Sequence, residues 1–210
     1  MRATLIGRFL LLAIVWLAVL LPLWYWAAKW FAAPPIWLAG TVMKSLFSWV
    51  DGFAQEGVNA VLHTLVQVRM QGPQGDALGE LAPEVSYPTY GYGLVLLWAM
   101  LLASRPPALL RKLLLGTVVM LVLASVAVAL QWLNDVFLRS GAHVLAQTRA
   151  PGWLVEAVAF GFHFHLFIFT ALAPVLLWVL MNRAFVQALW SQAINVQPQA
   201  LGKATEQGTQ

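Results

Sequence analysis

The chain of 210 residues contains no cysteine. That absence excludes disulfides, thiolate metal sites and a cysteine nucleophile together. Charge is scarce as well: only 10% of residues are Asp, Glu, Lys or Arg, where a soluble domain carries about a quarter. Ser104, Ser125 and Ser140 lack the G-x-S-x-G context of a hydrolase elbow, and there is no H-E-x-x-H and no phosphate-cradling glycine loop. Hydrolase, ATPase and zinc-protease readings therefore fall away, no cofactor or metal ion is called for, and the chain does not read as an enzyme. The net charge of +4 comes from scattered basic residues, so it is no nucleic-acid footprint.

What the chain has is apolar length. Hydrophobic residues make up 61% and the mean hydropathy is +0.77. They fall in runs that predict four transmembrane helices, at about 9–28, 89–104, 113–133 and 153–181. The first run, between Arg8 and Lys29, exceeds the apolar stretch of a signal peptide and is followed by Pro34-Pro35, so it reads as a retained anchor. The second is short for a bilayer and calls for packing or local thinning. Basic residues near the helix ends orient the bundle. With both termini inside, seven basic residues face the cytoplasm against five outside, and the connection 105–112 holds three of them without an acid. Trp24, Trp26, Trp30, Trp37, Trp49, Trp132 and Trp153 then collect at the outer interface.

The expected fold is an all-α integral membrane protein, a four-helix bundle with N-in/C-in topology, forming one membrane domain over 1–190. An outer loop, 31–88, carries two further elements. Ile36, Gly40, Met43, Phe47 and Val50 alternate at helical spacing with Thr41, Lys44, Ser45, Ser48 and Asp51. The pattern predicts an amphipathic helix lying in the membrane surface, rather than a fifth span that would move the tail outside. Beyond it, Leu62, Thr64, Val66, Val68 and Met70 alternate with His63, Leu65, Gln67 and Arg69 at a strand period. After the turn residues 71–76 the chain returns over 77–86, where Pro83 demotes the second strand of a small hairpin to an edge. Residues 191–210 read as a disordered cytoplasmic tail.

Few residues carry chemistry. His163 and His165 stand two apart on a helix, about 200° around its axis, and cannot chelate one ion together. Glu156 and His163 share a face but lie two turns apart, while Asp135 and His143 approach from the neighbouring loop. These four define a candidate polar site at the outer end of the third and fourth helices. Residue types favour packing or interfacial histidines over such a site. Tyr90-Gly91-Tyr92-Gly93 opens the second helix as an aromatic belt with glycines that admit a close neighbour, or as a docking surface.

The run Tyr90-Gly91-Tyr92-Gly93-Leu94 resembles a signature of the exosortase H-associated membrane proteins, as does Leu172-Ala173-Pro174-Val175-Leu176-Leu177-Trp178 closed by Arg183. The layout over residues 5–190 is similar too. The resemblance implies a bacterial, multi-pass inner-membrane protein acting beside an exosortase, a transpeptidase-like membrane enzyme that processes C-terminal sorting signals. Such enzymes are expected to use a cysteine, so this chain is expected to be a partner and not the enzyme. The partners expected are the lipid bilayer and an exosortase-like membrane protein, with no nucleic acid. Two other readings stand beside it: a transporter or channel subunit built on Asp135, His143, Glu156 and His163, and a lipid-modifying enzyme working at the outer interface. The absence of an internal repeat weighs against the transporter.

Overall fold

A computed structural model describes residues 5–72, 75–166 and 170–192. It opens with a single helix, α1 (Leu5–Leu46), that runs through Pro22, Pro34 and Pro35. At 1.5 Å per residue it is about 63 Å long, twice the thickness of a hydrocarbon core. The separate surface helix expected over 36–50 is therefore the far half of α1, and Val50 already belongs to a strand. The amphipathic pattern itself holds. Ile36, Gly40 and Met43 are buried and Thr41, Lys44 and Ser45 are exposed, but the buried stripe faces protein. It extends back through Trp24, Ala28, Ala32 and Ala39, at the spacing of one helix face.

After α1 come β1 (Val50–Glu56), β2 (Asn59–Thr64), β3 (Gln67–Gly72), β4 (Gly75–Glu80) and β5 (Glu84–Ser86). They form two antiparallel sheets, β1-β2-β5 and β3-β4, in place of one hairpin, so the protein is not all-α. The strand period is real: Leu62, Thr64 and Val66 are buried while His63, Leu65, Gln67 and Arg69 are exposed. Pro83 sits in the break between β4 and β5, where it needs no N–H. Its carbonyl instead accepts the Leu62 N–H at 3.0 Å.

The remaining helices are α2 (Pro88–Ser104), α3 (Leu109–Asn134), α4 (Ala142–Thr148), α5 (Gly152–Phe164), α6 (Thr170–Met181) and α7 (Arg183–Gln192). Helix α3 continues into a wide π-helical turn, Asp135–Arg139. Helix α1 and the unit Leu109–Arg139 are each long and apolar enough to cross a membrane, and α6 with α7 forms a third candidate bent by 95°. The fourth run, expected as one span, contains α5 and α6, and Pro174 lies inside α6. The expected tail beyond residue 192 lies outside the described residues.

Helix α2 is the centre of the bundle, packing against α1, α3 and α6. Its 17 residues rise only about 25 Å, and ten of them are buried. Burial explains how so short a helix serves: its neighbours, not lipid, cover most of its surface. The glycines of its first turns make this possible. A methyl at Gly91 would meet the Tyr87 ring at 2.6 Å and Trp24 at 2.8 Å, and one at Gly93 would meet the Thr170 carbonyl at 3.2 Å.

Gly91→Ala is expected to destabilise the protein by about 1–3 kcal/mol, because two rings must yield. Gly152→Ala, which meets nothing within 4 Å, is the control and should leave stability unchanged. Unfolding of both variants in detergent, followed by circular dichroism, checks the difference.

Candidate functional site

The sheets gather at one end of the bundle, where three helices hold them. From α1, the Lys29 carbonyl accepts a hydrogen bond from Gln55 Nε2 at 2.7 Å. Pro34 and Pro35, lacking N–H groups, cannot donate to the Trp30 and Phe31 carbonyls just beyond it. From α3, Trp132 Nε1 donates to the Ala60 carbonyl at 3.1 Å. From α4, the Gln147 amide exchanges two hydrogen bonds with the backbone of Gln67, both at 2.9 Å. Gly40 gives β1 its seat, since a Cβ there would clash with the Phe53 ring. Phe47, Trp49 and Phe137 close the corner, with ring centroids 5.1 to 6.3 Å apart.

Beneath the sheets, a polar chain joins α2 to the end of α3. The Tyr90 hydroxyl donates to Gln131 Oε1 at 2.7 Å. Gln131 Nε2 donates to both carboxylate oxygens of Asp135, at 2.9 and 3.0 Å. Arg139 completes the chain at 3.1 Å from the same carboxylate. The π-helical turn is fixed by Ser140, whose N–H and Oγ both donate to the Asp135 carbonyl, at 3.1 and 2.7 Å. His165 lies buried beside Tyr90, ring edge to face at 6.4 Å, and its carbonyl accepts from Thr170 Oγ1 at 3.1 Å.

The structure thus brings together three of the seven candidates, Tyr90, Asp135 and His165. The other four stand apart. Tyr92 is 40% exposed on α2. His143 is exposed on α4, Glu156 and His163 on α5, and His163 Nδ1 donates to the Ala159 carbonyl at 2.7 Å. Among the described residues no group of three His, Asp or Glu side chains could hold a metal ion. Sequence reasoning missed Gln131 and Arg139. Their signal was available: 131, 135 and 139 are three polar positions four apart, closing an otherwise apolar helix.

Chemically the chain is a clasp. The Tyr90 hydroxyl and Gln131 Nε2 both meet acceptors within the protein, and the exposed Arg139 end contributes little as an ion pair. Tyr90→Phe should cost about 0.6 kcal/mol, the usual worth of one interhelical hydrogen bond in a membrane protein. Asp135→Ala should cost more, about 1–3 kcal/mol, because it strips both acceptors from Gln131 Nε2. His163→Ala and Glu156→Gln should be near neutral. Unfolding curves of the four variants in one detergent give the ranking, and equal curves for Asp135→Ala and Glu156→Gln would refute the clasp.

Neither the curated proteins nor the solved structures offer a match to this chain. The family model described as exosortase H-associated membrane protein, however, matches residues 3–185. The two motifs that carried the resemblance are the ones that build the bundle: Gly91 and Gly93 seat α2, and Ala173, Pro174 and Trp178 are the buried side of α6. The chain is a membrane protein belonging to the exosortase H-associated family.

Proposed function

We propose that the protein is a non-enzymatic accessory subunit of an exosortase-type sorting system, docking the enzyme or its substrate through the sheet end. In this reading residues 1–190 form one unit in the bacterial inner membrane, crossed by α1, α2, α3 and the α5–α6 pair. Both termini lie in the cytoplasm, and the basic connection 105–112 sits at the end opposite the sheets, as orientation by positive charge requires.

The observation that carries the reading is the platform itself. Helix α1 runs about twice the length a membrane needs, and the excess is clad by sheets held to three helices. A membrane anchor alone has no use for such a rigid projection. Its exposed apolar residues include Leu65 at 58%, in the bend between β2 and β3, and Leu78 at 69%, on β4. Association with an exosortase is in the family's name, and the lack of cysteine separates this chain from the enzyme's expected nucleophile. The transport reading loses its basis, because Asp135 is committed to Gln131 and Arg139 while His143, Glu156 and His163 are exposed elsewhere.

Photo-crosslinking in native membranes tests the proposal. With benzoylphenylalanine at Leu78 or Tyr92, the exosortase or a protein bearing a sorting signal should be captured. The same probe at Leu110, beside the basic connection, should capture neither. Equal capture from all three positions, or none from the first two, would sink it.

A further inference from the structure

At the end of the bundle opposite the sheets, α1, α2 and α7 enclose a cavity of about 160 Å³ whose mouth carries two arginines, Arg8 and Arg105. We propose that this cavity is a binding site for the phosphate headgroup of an anionic phospholipid.

The floor is apolar and built in advance. Leu5, Phe9 and Leu12 come from one face of α1, at helical spacing with Arg8, and Phe185 comes from α7. Phe9 stacks on Trp178 at 5.0 Å and meets Phe185 at 5.4 Å, so the aromatic wall does not have to form on binding. Trp178 is itself held by a hydrogen bond to Ser104 Oγ at 3.1 Å.

The mouth is fixed as well. Arg105 caps α2 in a left-handed conformation, φ 43°, with its N–H bonded to the Leu101 carbonyl at 3.0 Å. The buried Pro106 follows and stops any continuation of the helix. Among the described residues the one ion pair is Arg139–Asp135, at the other end of the bundle, so neither Arg8 nor Arg105 meets an acid. A planar guanidinium matches the oxygens of a phosphate in a two-pronged hydrogen bond, which a lysine cannot reproduce.

Depth selects the source of that phosphate. Arg8 immediately precedes the apolar run of α1 and Arg105 ends α2, so both lie where a hydrocarbon layer gives way to headgroups. A cationic mouth above an apolar, aromatic floor at that depth suits an amphiphile better than a free anion. The inference needs neither an exosortase nor the sidedness proposed above.

Native mass spectrometry of the full chain in detergent, with phosphatidylglycerol, phosphatidylcholine or inorganic phosphate added, tests it. The protein should retain phosphatidylglycerol in preference to phosphatidylcholine. Each arginine-to-glutamine change, Arg8→Gln or Arg105→Gln, should weaken that preference roughly five-fold. The paired lysine variant, Arg8→Lys with Arg105→Lys, should fall between parent and double glutamine variant, since charge remains and the fork is lost. Arg111→Gln, on the same connection but outside the cavity, should bind as the parent does. All variants are compared at matched unfolding temperature, and the lysine pair carries the test if the glutamine pair fails to fold. Unchanged phosphatidylglycerol retention by the double variant, no preference over phosphatidylcholine, or displacement of the lipid by inorganic phosphate would each overturn the proposal.

Discussion

The structure depends on a mismatch of length. A helix of 42 residues cannot be covered by one bilayer, so its second half must find protein or meet water. Three prolines make the requirement stricter, because each removes an N–H and leaves a carbonyl to be paired elsewhere. The stripe from Trp24 to Met43 shows how the second half is covered. Small residues at 28, 32, 39 and 40 bring neighbouring backbone and rings close, and the larger Ile36 and Met43 fill what remains. The sheets, the corner made by Phe137, and α4 are all parts of that covering. Because the stripe is continuous with the contact between α1 and α2, the platform and the sheet-side part of the bundle share one core, while a second cluster around Leu94, Leu97, Leu101, Met120 and Trp178 fills the rest.

That continuity accounts for what the sequence made legible and what it hid. The period at 36–50 was readable, as was the alternation from Leu62 to Val68, because both record burial on one side. What the burial was against could not be read. A polar stripe beside an apolar one looks the same whether the apolar side meets lipid or a sheet, so the upper part of α1 passed for a surface helix. The short second run had been the weak member of four expected spans. Its length stops being an anomaly once α1, α3 and α6 are seen to surround it.

Of the candidate site, sequence reasoning reached the right neighbourhood by the wrong combination. It searched among acids and histidines, the residue types costly in a membrane, and grouped Asp135 with His143, Glu156 and His163. Geometry pairs Asp135 with a glutamine and an arginine one turn either side, and links it to α2 through a tyrosine. The neutral Gln131 is the keystone, donating to the carboxylate and accepting from the phenol. An amide can do both at once, whereas a second carboxylate or an imidazolium could do only one. The grouping failed because it weighed charge and neglected bonding capacity.

The two ends of the bundle resolve their polar groups in opposite ways. At the sheet end, Tyr90, Gln131 and Asp135 satisfy one another, and even the proline-rich stretch of α1 receives a donor from Gln55. At the other end Lys112 Nζ meets only the neutral amide of Asn182, at 3.2 Å, and the guanidinium groups of Arg8 and Arg105 meet no acid among the described residues. Asn182 also marks the 95° bend between α6 and α7, where its Nδ2 donates to the Trp178 carbonyl at 3.0 Å. In the orientation proposed above, such a bend lays α7 along the surface, beside the cavity it helps to wall. An end that leaves its cations open at headgroup depth is suited to lipid, and an end that closes its polar groups under a platform of sheets is suited to protein. Helix α2 touches both, since Tyr90 anchors the clasp and Arg105 guards the cavity, so its burial fixes the two surfaces at a constant separation.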